Sequence, residues 1–235
     1  MGAPSLVRAT SEEVSRLRAE IARIERGNRT AGDTRMLPAP SGIARLLPEG
    51  GLRAGAVYSF APSMPLVTAL LAEPSKTGAW CAVIGMPELG IEAAAEAGVD
   101  LSRLAIVPHP GERWLGVASA IAEVVGVVAL RPGARIGDRD ASRLSARLRE
   151  RGTVLLVEGS WQQAEAAIGV EELAWSGLGQ GHGYIERLEA TIVVAARRSP
   201  APRRGRVILL GAPSPAIPIR RDPGETGQAG LLAVG

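Results

Sequence analysis

Five short apolar runs, most of them followed by a stretch with helical spacing, constrain this chain more than any other feature. The runs lie at 56–60, 80–85, 103–108, 126–131 and 153–158, and the helical segments at 64–73, 90–97, 112–124 and 138–151. Runs of this length with no alternating polar positions suit strands buried on both faces. Strands alternating with helices predict an α/β fold, a mostly parallel twisted sheet flanked by helices. A short helix from Ser41 to Leu47 precedes the first strand.

The pattern changes after Ser160. A glycine-rich turn, Ser176 to Gly183, leads into strand-like runs at 184–195 and 205–210, split by Arg197-Arg-Ser-Pro-Ala-Pro-Arg-Arg204. Two strands joined in this way predict a C-terminal antiparallel hairpin on the sheet edge. Residues 211–235, rich in Gly and Pro with little periodicity, are expected to form a disordered tail.

At the other end, residues 10–26 read as an amphipathic helix. Thr10 and Glu13 form a capping box, and Val14, Leu17, Ile21 and Ile24 recur three or four apart as one apolar stripe. Gly27 closes it. The stripe has two readings, packing on its own domain or docking on a partner or a second copy. The expected layout is a helix and linker over 1–37, a core domain over 38–210 and the tail over 211–235.

Composition narrows the setting. The 235 residues carry a formal charge of +3, and the 27 basic residues include one lysine, Lys76. One cysteine, Cys81, excludes an internal disulfide framework and fits a reducing compartment. It sits in Trp80-Cys-Ala-Val-Ile84 and reads as a buried strand residue. No signal peptide and no membrane-spanning stretch is visible, so a soluble, cytoplasmic protein is expected. His109 and His182 are the two histidines, with no ligand cluster to join them. His182 reads as a local hydrogen-bonding residue among glycines. Neither Ser160 nor Ser176 has a base in sight, and nucleophilic catalysis is rejected.

Several local segments resemble the core of RecA-type recombinases in the same order. Leu47-Pro-Glu-Gly-Gly-Leu-Arg-Ala-Gly-Ala-Val57 looks like the lead-in to the first core strand. Trp80–Ile84 fits the second, Ala97-Gly-Val-Asp-Leu-Ser-Arg-Leu104 fits the segment before the next, and Arg139–Arg151 with Thr153–Val157 fits the helix and strand beyond. The resemblance covers roughly Leu46 to Leu210 and implies a RecA-like core.

The chemistry of that family is missing here. A phosphate loop needs glycine amides, a Lys and a Ser or Thr. At that place the chain has Ala61-Pro-Ser-Met-Pro-Leu-Val-Thr68, with Ala61, Pro62, Ser63 and Pro65 in the loop and no Gly or Lys. Met64, Leu66 and Val67 are expected to fill the vestigial site. Ser75-Lys-Thr-Gly78 follows a helix and reads as a loop. The metal-supporting acid is replaced by Arg131, and the general-base position falls at about Pro87. Glu88 beside it reads as a helix N-terminal acid rather than a shifted base. The resemblance therefore implies a degenerate nucleotide site, no cofactor and no enzyme activity.

Within RecA-like proteins the chain is similar to the actinobacterial ImuA type, chiefly through Trp175-Ser-Gly-Leu-Gly-Gln-Gly-His-Gly183 and the arginine-rich hairpin. That resemblance implies an accessory role in damage-induced, error-prone translesion synthesis. The partner would be ImuB, an inactive Y-family-like polymerase, with the alternative C-family polymerase reached indirectly. The rival reading is an SOS cell-division inhibitor of the SulA kind. Arg197, Arg198, Arg203, Arg204 and Arg206 form the one concentrated positive feature. They either track a DNA backbone weakly or guard an exposed sheet edge. Trp161 and Trp175 are expected in the core or at a protein contact rather than stacked on bases.

Overall fold

A computed structural model describes residues 35–177 and 186–211. The chain divides into two units, Met1–Met36 and Leu37–Gly235, and the α/β fold belongs to the second. The helix bearing Val14, Leu17, Ile21 and Ile24, the turn holding His182, and the tail from residue 212 onward lie outside the described residues.

The five apolar runs form strands β1 (Val57–Phe60), β2 (Cys81–Ile84), β3 (Leu104–Val107), β4 (Val127–Leu130) and β5 (Val154–Glu158). Three of them are buried through the run, β5 is buried as far as Val157, and β3, at the sheet edge, is half-buried. β6 (Ala166–Ser176), β7 (Arg187–Ala196) and β8 (Arg203–Leu210) complete one eight-stranded sheet in the order β8-β7-β6-β1-β5-β4-β2-β3. Every pairing from β6 through β1 to β3 is parallel, whereas β6–β7 and β7–β8 are antiparallel. The fold is thus mixed α/β, with a mostly parallel sheet flanked by helices and an antiparallel hairpin at one edge.

Helices α1 (Ser41–Ala44), α2 (Met64–Lys76), α3 (Ile91–Glu96), α4 (Trp114–Ile121) and α5 (Asp138–Arg151) supply the flanking layers. On one face α1 and α2 close a core with Tyr58, Phe60, Val83, Ile168, Leu188 and Ile192. On the other, α4 and α5 close a second core with Val57, Ile84, Leu130, Val157 and Trp161. α5 has Asp138 and Asp140 in its first turn and Arg149 and Arg151 in its last, as its dipole favours. Gly152, at φ 72°, ends it in the left-handed conformation that a C-terminal cap wants.

Two sequence expectations need correcting. α2 continues through Pro74 to Lys76, so Ser75 and Lys76 are helical rather than loop. Pro74 removes one amide near the end of the helix, and hydroxyls serve the carbonyls beside it. Ser75 Oγ donates to the Ala72 carbonyl at 2.9 Å, and Thr77 Oγ1 donates to that of Pro74 at 3.0 Å.

The second correction is β6, an eleven-residue strand that the sequence reading passes over. It pairs with β1 at Ala166–Ile168 and with β7 along its length. Its register slips between Val170 and Leu173, where β6 holds an extra residue against β7. That bulge places Leu173 opposite Ala190 and Trp175 opposite Leu188.

Candidate functional site at the carboxyl end of the sheet

In an open α/β sheet, ligands are received beyond the carboxyl ends of the parallel strands. Here those ends carry Phe60–Ser63 after β1, Ile84–Glu88 after β2, Arg131 after β4 and Glu158 closing β5. The strand–turn–helix unit β1–α2 occupies the place that a phosphate loop requires.

The amides of that turn are already accounted for. Ala61 N–H donates to the Ile168 carbonyl at 2.9 Å, Leu66 N–H to Ser63 Oγ at 3.3 Å, and Val67 N–H to the Ser63 carbonyl at 3.1 Å. Pro62 and Pro65 have no amide hydrogen to offer. Five of the seven positions from Ala61 to Val67 thus present no free donor. Ser63 is the N-cap of α2, so its hydroxyl is committed to the helix. Leu66 and Val67 are fully buried in the core.

A guanidinium, that of Arg131, stands just after β4 at this end of the sheet. Arg131 Nε donates to Glu158 Oε1 at 2.5 Å and Nη2 to Glu158 Oε2 at 2.9 Å. The same Nη2 lies 2.5 Å from Glu88 Oε1. Such a fork-to-fork contact is among the strongest side-chain pairings available. Glu158 is the most buried of the three, with its side chain 10% exposed. The hydrogen bonds it donates to Glu158 and Glu88 raise Arg131 above its ordinary pKa, and the hydrogen bond from Arg131 lowers that of Glu88. Two carboxylates against one cation leave the cluster with a net negative charge.

Glycine makes this arrangement fit. Gly85, at φ 77°, follows β2, and a Cβ added there would lie 2.6 Å from the Arg131 carbonyl oxygen. The close approach of the β2 and β4 ends depends on the missing side chain. Pro87 follows one residue after buried Met86. Glu88, expected as a helix N-terminal acid, is an ion-pair partner of Arg131 instead, and α3 starts three residues later.

The five arginines of the C-terminal edge are divided. Arg197 and Arg198 lie exposed in the turn between β7 and β8, and Arg206 is exposed on β8. Arg204 is ion-paired with Glu171, and Arg203 donates to the Leu47 carbonyl at 3.3 Å. Arg203 and Arg204, neighbours on a strand, point to opposite faces. Trp161 is 7% exposed within the second core, while Trp175 is 50% exposed beside a groove under α2 and α3.

Sequence reasoning missed Glu158 and this groove. Glu158 had one readable signal, a charge opposite to that of Arg131 closing an apolar run of the same kind. Among the described residues no group of His, Cys, Asp or Glu could hold a metal ion, and no helix is long and apolar enough to cross a membrane.

Residues 45–163, from just after α1 to just past β5, match the family described as MT3502 N-terminal domain. An uncharacterized protein of Mycobacterium tuberculosis, Rv3395c, is 36% identical over 127 residues. That alignment spans 52% of this chain and 62% of the relative. With half of its length matched, from the lead-in to β1 through the ion cluster, the chain belongs to the MT3502 N-terminal domain family.

Proposed function

We propose that this chain is a non-catalytic binding protein on a RecA-like core. In this reading it is an accessory of damage-induced, error-prone translesion synthesis that binds an ImuB-type inactive Y-family polymerase and, through it, the alternative C-family polymerase. The observation that carries the non-catalytic part is the spent β1–α2 turn, where five of seven positions offer no amide to a phosphate. The net negative cluster of Glu88, Arg131 and Glu158 adds to it, because a polyphosphate brought there meets like charge. The order of β1 to β5 with their helices supports the RecA-like part, and the resemblance of the 175–183 segment supports the ImuA-type part. DNA contact, where it contributes, falls to Arg197, Arg198 and Arg206, the three of the five whose side chains have no described hydrogen-bond or ion-pair partner.

The experiment pairs two measurements on the full chain. The first is the melting temperature with and without millimolar Mg-ATP. Any ligand that binds only the folded state raises that temperature, and no shift is expected. The second is capture on immobilised ImuB-type protein, with the tubulin-like division protein alongside. Capture by ImuB alone is expected. A nucleotide-dependent shift of several degrees overturns the non-catalytic reading, and capture by the division protein alone overturns the translesion one.

A further inference from the structure

On the face of the sheet covered by α2, an apolar groove of about 550 Å³ runs between Met64 and Pro65 of α2, Leu89 and Ala93 at α3, and Trp175 and Leu210 of the sheet. Trp175 is 50% exposed there, and Leu173, on the same side of β6, is 48% exposed. Their cross-strand neighbours Leu188 and Ala190 are buried. The apolar face of β6 thus runs on past the end of its pairing with β1. β1 pairs with β6 only as far as Ile168.

The chain itself continues from this groove. β8 ends at Leu210, one of the lining residues. The next residues read Ala212-Pro-Ser-Pro-Ala-Ile-Pro-Ile-Arg-Arg221. Pro213, Pro215 and Pro218 each fix φ near −65°, so this segment loses less entropy on docking than an ordinary one. In an extended three-per-turn chain the Pro215–Pro218 interval would set both rings on one edge. Segments of that kind recognise aromatic-lined grooves, and Trp175 supplies the aromatic wall. Charge agrees as well. Glu92 and Glu96 stand exposed on α3 with no described cation opposite them, and Arg220 and Arg221 follow Pro218 closely. A tether of a few residues gives the segment an effective concentration on the order of millimolar, so modest contacts suffice.

We infer that residues 215–221 of this chain are the groove's own ligand, with the prolines against Trp175 and Met64 and the two arginines toward Glu92 and Glu96. The inference is independent of the partner named above and of the state of the nucleotide site.

The test is a disulfide trap in the full chain, made with Ala93→Cys and Ile217→Cys. Both are added to a protein whose own Cys81 is buried. Mild oxidation of dilute protein is expected to give a bond within one chain. Its yield should fall at least fivefold when Arg220→Glu and Arg221→Glu are added, or when Pro215→Ser and Pro218→Ser are added. A control pair places the cysteine at Glu112, exposed in the turn before α4 on the opposite face, and should trap poorly. Equal yields from the two pairs, or a yield indifferent to the charge and proline changes, would mean chance collision and overturn the inference. A bond formed only between chains would overturn it too, because the occupant would then be a second copy.

Discussion

Arg131 and Glu158 face each other across neighbouring strand ends and share two parallel hydrogen bonds, at 2.5 and 2.9 Å. The pair ties β4 to β5 just beyond their last register contact, Leu130 with Val157.

Replacing Arg131 with Ala leaves the Glu158 carboxylate with little water and no partner. The expected cost is about 1–3 kcal/mol in a denaturant titration, the range for an orphaned group of this kind. Arg131→Ala combined with Glu158→Leu should recover much of that loss, since removing both partners removes the orphan. A double variant no better than the single one would show that the pairing is not what matters.

Acid should loosen the same cluster. The hydrogen bond from Arg131 holds the Glu88 carboxyl below its ordinary value in the folded protein. The stability this brings is complete above the unfolded value, about 4.3, and is lost as the pH falls through the lower folded one. Glu88→Gln should therefore lower the unfolding midpoint at pH 7, where the parent has that stability, and flatten its decline with acid below about pH 4.5. A midpoint curve superimposable on the parent's would argue that Glu88 does not stay paired in solution.

Gly85→Ala meets both a left-handed backbone and the Arg131 carbonyl at 2.6 Å. A loss of about 1–3 kcal/mol is expected. Gly50→Ala, also at positive φ but with open space around it, should cost about 1 kcal/mol. The comparison of thermal melts separates the close approach from the backbone strain.

Cys81 should be silent to thiol reagents while the protein is folded. It is fully buried at the start of β2, and burial pushes its thiol up to about 12. The nucleophile is the thiolate, so labelling at pH 8 is expected to proceed only as fast as the chain unfolds. Rapid labelling of native protein would place Cys81 elsewhere than in the core.

The parallel core was legible because burial on both faces leaves each strand as an uninterrupted apolar run, as in Val127-Val-Ala-Leu130. β6 was not. Ala166-Ala-Ile-Gly-Val-Glu-Glu-Leu173 contains few residues that favour a strand on their own, and its conformation is imposed by β1 on one side and β7 on the other. The partner of Arg131 lies 27 positions away, and adjacency in the sheet, not spacing in the chain, joins them. The groove was invisible for the same reason, since its walls come from residues as distant as Met64 and Leu210.

The slip in register along β6 works like an added beat in an otherwise two-step rhythm. Before it, Ala166, Ile168 and Val170 fall on the inner face, and strict alternation would next bring Glu172 and Ala174 inward. With the extra residue, Leu173 and Trp175 take those places instead. Closing the bulge with every residue kept would turn the indole to the far side of the sheet and an acidic side chain toward the groove. Relatives of this chain that are one residue shorter at this point should therefore keep the leucine and the indole on the groove side, in a strand of unbroken register.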